Sequence, residues 1–467
     1  MRPFSYYFGF RERVSRASYF ATGLSLMAFK YAIDAGLIYA TSGIVWTPFD
    51  YLVPLITVRA PKLALIRSDV SVILIAWTLP FLWIAVSMTM RRAVDAGRSL
   101  WHALWMFVPF MNYVAMLTLA VLPSSDRVTW NDQILDRPGM TAGRSAVIGT
   151  MTGVALALIA LLGLAVMANT YGVALFLAVP FVMGVLVAFL YNRPGGRPLG
   201  ATLHVVTLSL LAAGGAMLLF ALEGLLCLAI AFPIALVVAF LGAAAGKAAA
   251  NRTRLTPSAA ALSVLAIPAA MFIDDRPAAE HVYEVVSFVE VAAPPIRVWD
   301  HVVAFSPITS RPELLFRFGL AYPVRATIEG SGVGALRRCE FSTGSFIEPI
   351  TTWDSPRRLS FDVVDQPAPM RELSPYGRIT PPHLYGFFRA VRGEFRLVAL
   401  ENNRTRLEGS TWYTLDLHPH AYWRPITDQI ISRIHARVLE HIAVEVHAQS
   451  GSTASAPGST VASISQR

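Results

Sequence analysis

Residues 145–246 carry very few charges, although 15% of the whole chain is charged. A helix needs roughly 20 apolar residues to cross the hydrocarbon core of a bilayer. This stretch is therefore long enough to cross several times. Residues 281–448, by contrast, are charged throughout. The chain thus joins a membrane part to a part that can fold in water.

Eight segments have the length and apolar content of a membrane-spanning helix. They are 17–41, 70–90, 101–122, 145–168, 172–191, 199–222, 224–246 and 256–273. Prolines and basic residues interrupt the further apolar stretch 44–66, and we interpret it as a loop or an interfacial segment. The sequence predicts a multi-pass α-helical membrane protein.

The side of the membrane on which the C-terminal part lies depends on segment 101–122. Arginines at the N-terminus and in residues 91–98 favour the cytoplasm. If 101–122 crosses, the eight crossings place the C-terminal part in the cytoplasm. If this segment, which holds Pro109 and Asn112, is re-entrant, seven crossings place that part outside. The later arginine-bearing loops then lie inside, as the positive-inside rule requires.

Charge and cysteine content exclude some classes of function. The net charge is +9, yet no Lys/Arg-rich run with interleaved aromatic residues occurs, so we expect no nucleic-acid partner. Cys227 and Cys339 lack CxxC spacing, so we expect no disulfide framework, metal site or cofactor. Lys30 and Asp34 lie one turn apart in the first apolar segment. They form either a relay for protons or ions or a self-neutralising pair, and we favour the pair.

Two motifs near the N-terminus resemble a known family. The first, FRERVSRASYF, keeps Phe10, Arg13, Ser15, Arg16 and Tyr19. The second, RRAVDAGRSLW, keeps Arg91, Arg92, Asp95, Gly97, Arg98, Ser99 and Trp101, with Val94 where the family has histidine. Residues 4–137 thus resemble domain of unknown function 805, a family of bacterial inner-membrane proteins without a settled biochemical role. The resemblance implies the cell (inner) membrane.

The second motif also has a physical interpretation as a basic motif at the membrane surface. Arg91 and Arg92 follow an apolar helix, where they can meet carbonyl groups and lipid phosphates. Asp95 can pair with one of these arginines, and Arg98 follows the turn that Gly97 permits.

Residues 278–448 predict an α+β helix-grip domain. Alternating β-branched residues predict a strand over 281–291, and a short helix follows at 296–305. Further strands are predicted at 324–330, 334–342, 345–354, 357–364, 386–400 and 404–417. Apolar residues at helical spacing predict a long helix over 421–447. A curved antiparallel sheet can bury its apolar face around this helix. Residues 145–273 form an additional helix bundle, and 449–467 read as a disordered tail.

The C-terminal part also resembles the SRPBCC superfamily (START-like, polyketide cyclase-type). The matching segments are Ala293-Pro294-Pro295-Ile296, Gly332-x-Gly334-Ala335, Glu348-Pro349-Ile350-Thr351, Gly393-Glu394-Phe395-Arg396-Leu397 and Trp412-Tyr413. The resemblance implies an internal cavity, while the functions of the superfamily range from lipid carriers to enzymes.

Candidate residues for this cavity follow from the strand pattern. They are Arg338, Cys339, Glu348, Trp412 and Tyr413. Glu348 is either an acid or base in the cavity or the partner of Arg338 on the adjacent strand, and we favour the pair. Only one of Trp412 and Tyr413 can line the cavity, because neighbouring residues of a strand face opposite ways.

Three functions remain open. In the first, which we prefer, the domain binds a hydrophobic small molecule or lipid at the lipid bilayer. The second is a membrane-anchored cyclase or hydrolase that works through Glu348 or a histidine. The third is a transporter or sensor regulated by the ligand of the domain.

Overall fold

The computed structural model divides the chain into two compact units. The first comprises residues 1–274 together with 372–381, and the second comprises 275–371 with 382–467. The residues that the structure describes are 3–10, 13–52, 62, 65–66, 68–98, 100–107, 111–125, 142–251, 262–274, 281–449 and 462–464.

The first unit is built from helices. Its α-helices are α1 (Pro3–Phe8), α2 (Arg16–Ser42), α3 (Pro48–Leu52), α4 (Ser68–Asp95), α5 (Met111–Val121), α6 (Ala142–Leu161), α7 (Val179–Asn192), α8 (Leu199–Leu219), α9 (Leu225–Asn251) and α10 (Ala266–Asp274). Leu100–Phe107 and Leu262–Leu265 are 3₁₀-helical, while Leu162–Met167 and Ala174–Ala178 are π-helical.

Within the described residues, four helical stretches are long and apolar enough to cross a membrane. They are Ala142–Ala165, Ala174–Asn192, Leu199–Leu219 and Leu225–Asn251. The predicted spans 17–41 and 70–90 lie within α2 and α4, which have 27 and 28 residues. The predicted span 256–273 begins in residues 252–261, which lie outside the described part of the chain.

Segment 101–122 returns to the end of α4 from which it departs. The amide of Ser125 donates to the carbonyl of Asp95 over 2.7 Å, so the two ends of the intervening chain lie side by side. The described residues between them form a 3₁₀-helix and the 11-residue helix α5. This geometry agrees with the re-entrant alternative.

Helices α7 and α9 pack backbone to backbone through three glycines. A Cβ added at Gly242 would lie 2.1 Å from the carbonyl oxygen of Phe181, and one at Gly246 would lie 2.2 Å from that of Val185. Gly184 approaches α9 just as closely. Small residues let membrane helices approach in this way and gain dispersion contacts. Any larger side chain at these positions would force the two helices apart.

The second unit is a curved antiparallel sheet around a long helix, so the predicted fold is confirmed. Its strands are β1 (Val282–Val291), β2 (Pro323–Glu329), β3 (Leu336–Phe341), β4 (Gly344–Asp354), β5 (Arg358–Asp362), β6 (Phe388–Leu400), β7 (Arg404–Leu415) and β8 (Ala462–Ile464). Their order in the sheet is β2-β3-β4-β5-β6-β7-β1-β8. Helices α11 (Pro295–Val303) and α12 (Leu314–Arg317) connect β1 to β2, and α13 (His420–Gln449) follows β7.

The second half of α13 fills the concave side of the sheet. Leu439 and Ile442 are fully buried there, in one hydrophobic cluster with Leu359 of β5 and Leu407 of β7. Burying a side chain of this size contributes roughly 1.5–3 kcal/mol. The apolar face of α13 therefore holds the helix against the concave side of the sheet.

The predicted disordered tail lies mostly outside the described residues. Within it, Ala462–Ile464 form strand β8, which pairs antiparallel with β1. This pairing differs from the prediction, because so short a strand leaves no periodic pattern in the sequence.

Candidate functional site

A buried ion pair lies on the concave side of the curved sheet, which we call the grip. Arg337 of β3 and Glu348 of β4 are register partners, and their side chains form a salt bridge with 2% and 7% of each exposed. Arg337 also donates from Nε to the carbonyl of Val303 over 3.2 Å. Burial raises the pKa of Glu348, and the attraction of Arg337 opposes that rise. The predicted partner of Glu348 was one residue away from the actual one.

Arg338 points to the outer face of β3, which corrects its placement in the cavity. Its side chain is 43% exposed and faces Glu329 of β2 at 3.4 Å. The physical reason is strand alternation, since consecutive residues face opposite sides of a sheet. Cys339 lies on the inner face with Arg337 and is buried in the hydrophobic cluster. Burial, and then the nearby carboxylate of Glu348, raises the pKa of Cys339 to about 12. The thiol is therefore protonated at neutral pH.

Three aromatic rings enclose the guanidinium group of Arg337. Its carbon lies 5.8, 5.1 and 5.6 Å from the ring centroids of Phe305, Phe361 and Phe395. Arginine over aromatic faces gains cation–π attraction, most of all where water is excluded. Phe361 reaches this position because Gly393 has no side chain: an added Cβ would lie 2.5 Å from the ring. This part of the grip is occupied by the protein's own side chains.

Trp412 and Tyr413 divide between the two faces of β7, as expected. Tyr413 is fully buried on the inner side, where its hydroxyl donates to Asp428 of α13 over 2.5 Å. Burial, and then the bond to Asp428, raises the pKa of Tyr413. Trp412 lies on the outer side, and the guanidinium of Arg392 stacks 4.8 Å from its ring centroid.

An open cleft of about 500 Å³ lies between β1 and the first half of α13. Its floor includes Tyr283, whose hydroxyl lies 2.8 Å from Nδ1 of His420. The guanidinium of Arg424 lies 4.6 Å from the ring centroid of Tyr283. Asp428 joins the wall 3.6 Å from Arg424 while it holds the hydroxyl of Tyr413. Burial, and then the neighbouring His418, lowers the pKa of His420. The cleft thus offers a donor, an acceptor and an aromatic face.

A second polar contact deeper on α13 involves His435. Its Nδ1 lies 3.2 Å from the hydroxyl of Ser287 on β1, and its Nε2 lies 2.8 Å from that of Thr411 on β7. Burial lowers the pKa of His435 to about 4. The imidazole is therefore neutral at physiological pH, with a hydroxyl at each nitrogen.

The basic motif of residues 91–98 lies mostly inside the first unit. Arg91 and Arg92 are 1% and 0% exposed, so the prediction of a membrane-surface pair is corrected for both. Arg92 donates to the carbonyls of Leu119 and Leu122 and forms the predicted pair with Asp95.

The neighbours of Arg92 in the motif behave differently. Arg91 donates to the carbonyl of Tyr6 over 2.6 Å. Arg98 is exposed, after a turn in which Gly97 has φ = +67°. The carbonyl groups at the end of α5 lack helical partners, and Arg92 donates hydrogen bonds to two of the carbonyls there.

The sequence did not single out Tyr283, Arg424 or Asp428, and it offered His435 only as one of several histidines. The i,i+4 spacing of Arg424 and Asp428 was visible as a possible pair on one helix face. Their connection to Tyr283 and Tyr413 depends on how α13 crosses β1 and β7, which no local pattern specifies.

Lys30 and Asp34 form the expected salt bridge, with 12% and 8% of each side chain exposed. The ammonium group lies 5.6 and 5.9 Å from the ring centroids of Tyr51 and Phe81. The pair therefore faces other helices of the first unit.

Comparisons with solved structures found several similar chains. The ZhuI aromatase/cyclase from Streptomyces sp. R1128 is 16% identical, with a TM-score of 0.25 over 36% of this chain and 96% of that one. A norcoclaurine synthase from Thalictrum flavum is 12% identical, with a TM-score of 0.25 over 37% and 99%. Protein Ms6760 from Mycobacterium smegmatis is 14% identical, with a TM-score of 0.23 over 36% and 92%. Scores at this level carry no argument about function, and the fold assignment rests on the strands and helices described above.

Comparisons at the sequence level reach the N-terminal part alone. No curated protein sequence matches the chain. The family model described as "Protein of unknown function (DUF805)" matches residues 7–129. The matched residues include both motifs, at residues 10–20 and 91–101, on which the predicted resemblance rests.

Proposed function

We propose that the chain is a multi-pass membrane protein whose helix-grip unit binds a hydrophobic small molecule or lipid that carries a polar group. The observation that carries the proposal is the cleft of about 500 Å³ between β1 and α13. This volume lies in the range of small-molecule sites, about 300–1,000 Å³. Tyr283 and Pro425 give the cleft apolar surface, and Arg424 and Asp428 give it polar groups.

The polar groups of the cleft are held in place before any ligand binds. Asp428 accepts from Tyr413, and Arg424 lies over Tyr283. A ligand would therefore meet a preorganised donor and acceptor, which lowers the entropy lost on binding.

The contacts of the titratable groups favour binding over catalysis. Glu348 pairs with Arg337 in the filled part of the grip. His435 has a pKa of about 4, far from the value near operating pH that suits a general base. A catalytic role for either residue would require these buried contacts to break first.

Native mass spectrometry of the purified full chain tests the proposal. We expect an additional bound mass, whose compound is identified after organic extraction. Gln429→Trp would fill the cleft from its exposed edge and remove most of this mass. Glu440→Trp places the same side chain at an exposed position of α13 outside the cleft and would leave the mass in place. A chain without a bound compound, or equal occupancy in both variants, would contradict the proposal.

A further inference from the structure

A second cavity lies within the helical unit, among α6, α7, α8 and α9. Its volume is about 370 Å³. Met183 of α7, Gly214 of α8 and Phe232 of α9 contribute to its walls. The walls are almost wholly apolar, so the cavity suits a hydrocarbon chain.

One end of the cavity holds a buried carboxylate. Glu223 is 3% exposed, and the hydroxyl of Tyr171 donates to its Oε1 over 2.7 Å. Among the residues that line the cavity, Glu223 is the single Asp, Glu, Lys, Arg or His. Ionisable side chains at such positions are costly and mark functional sites in membrane proteins. A molecule in the cavity would therefore meet an acceptor at this end.

The cavity has a side that is open to the surroundings of the bundle. Leu211 of α8 and Leu225 of α9 both line it, and they are 54% and 51% exposed. In a bilayer, exposed leucines on spanning helices face acyl chains. A molecule dissolved in the membrane can reach the cavity laterally between these helices.

The helical backbone is irregular beside the cavity. Leu175 and Phe176 line it from the π-helical segment Ala174–Ala178, and a second π-helical segment, Leu162–Met167, ends α6. π-Helical turns are rare and occur frequently at functional sites. The segment Ala174–Ala178 lies near Tyr171, since the ring centroids of Phe176 and Tyr171 are 6.4 Å apart.

We propose that this cavity binds a single-chain membrane amphiphile whose head group donates a hydrogen bond. The chain occupies the apolar space among the helices, and the head donates to the carboxylate of Glu223. A hydroxyl and an ammonium group share this chemistry. The site lies in the helical unit, so the proposal is independent of the cleft between β1 and α13.

Photolabelling of the full chain in phosphatidylcholine nanodiscs tests the site. The probe is octadecanol with a diazirine in its chain, and cross-linked peptides are mapped by mass spectrometry. We expect labels in α8 and α9 around Gly214 and Leu228. Unlabelled octadecanol should compete about 10–100-fold better than methyl octadecyl ether, because the ether cannot donate to the carboxylate.

Matched substitutions in α8 separate occupancy from folding. A Cβ at Gly214 meets only Leu228, at 4.0 Å, so Gly214→Leu fills the cavity without a backbone clash. It should lower labelling by at least about tenfold. Gly200→Leu, at an exposed position of the same helix, should leave labelling unchanged. Ala235→Leu fills the cavity from α9 and serves as a second variant, should Gly214→Leu not fold.

Glu223→Gln separates the two head groups. The amide oxygen still accepts from a hydroxyl, so octadecanol should compete with the probe as well as it does in the parent. Octadecylamine should compete less well than in the parent, because its ammonium group loses a charged partner. The proposal is overturned if both cavity-filling variants label like the parent, if the ether competes as well as octadecanol, or if labels spread evenly over exposed helix faces.

Discussion

Arg337 and Glu348 show how a single residue position decides the chemistry of the grip. Two charges in a buried site are tolerable when each satisfies the other, and Arg337 gains the carbonyl of Val303 as well. Three phenylalanine rings exclude water from the guanidinium group. The pair therefore belongs to the core of the second unit.

Glu348→Gln should destabilise the second unit by roughly 3–5 kcal/mol, because it leaves the charge of Arg337 buried without its counter-ion. Thermal unfolding of the full chain, followed by tryptophan fluorescence, measures the loss. Glu329→Gln removes the exposed partner of Arg338 and should cost less than about 1 kcal/mol. Similar losses in the two variants would contradict the burial of the pair.

Acidification should destabilise the second unit through His435. The unfolded imidazole has a pKa of 6.5 and the folded one about 4, so the unfolded state binds more protons between these values. The contribution of His435 to the free energy of unfolding is fully present above pH 6.5, and it falls by roughly 3 kcal/mol as the pH drops to 4. Unfolding of the parent and of His435→Gln across this range should show a shallower pH dependence in the variant. The exposed His281→Gln should behave like the parent.

The sequence allowed Glu348 on the inner face and predicted Arg338 as its partner, whereas the actual partner is Arg337. Each face of β3 carries an arginine beside an apolar residue: Arg337 lies next to Cys339, and Arg338 lies next to Leu336. The register of β3 against β4 comes from the turn that joins them, where Phe341 pairs with Gly344. A pattern of polarity does not contain this information.

At the scale of elements, α5 is held by a side chain from α4. The fork of Arg92 reaches the carbonyls of Leu119 and Leu122, which a helix end leaves without partners. Asp95 joins the same contact, since it accepts from both Arg92 and Ser124. The sequence suggested that the arginines of the basic motif meet carbonyl groups and lipid phosphates, and Arg92 meets carbonyl groups at the end of α5. Composition could not reveal this, because both uses require the same arginines at a helix end.

Arg92→Lys should loosen the end of α5, since one ammonium group cannot replace the two-pronged contact. Hydrogen exchange at the amide of Ser125, which is bonded to Asp95, should accelerate roughly 10–100-fold, the equivalent of a lost charged hydrogen bond. Arg98→Lys, at an exposed position in the same motif, should leave exchange unchanged. Equal exchange in both variants would contradict the role of Arg92 in holding the end of α5.

Gly242→Leu should separate α7 from α9, because its side chain would overlap the carbonyl of Phe181. We expect a loss of more than about 3 kcal/mol, the range of severe overpacking. Size-exclusion chromatography after heating in detergent reports the change. Gly200→Leu provides the matched control, and an unchanged melting temperature in Gly242→Leu would refute the close packing.

For the molecule as a whole, contacts among the helix ends of the first unit divide these ends between the two ends of the bundle. Arg197 donates to the carbonyl of Ala142 over 3.4 Å, and Lys247 donates to the carbonyl of Arg197. Asp274 accepts from the amides of Val173 and Ala174 over 2.7 and 2.9 Å, at the opposite end of the bundle. If the basic end is cytoplasmic, as the positive-inside rule favours, residue 274 lies outside.

We therefore predict that the second unit is extracytoplasmic. Because Ser125 lies beside Asp95, we count segment 101–122 as re-entrant, which leaves seven crossings before residue 280. A reporter fused after residue 280 should be active if it requires export and inactive if it requires the cytoplasm. Fusion after residue 195 is the internal control and should give the reverse result. Cytoplasmic activity at residue 280 would restore the count of eight.

The glycine contacts between α7 and α9 also dictate an order of events during synthesis. Helix α7 is made first, and α8 follows before the matching surface of α9 exists. Until Gly242 and Gly246 have been synthesised, the face of α7 around Gly184 lacks the helix against which it packs in the finished bundle. The arrival of α9 therefore completes both this contact and the walls of the cavity among α6, α7, α8 and α9.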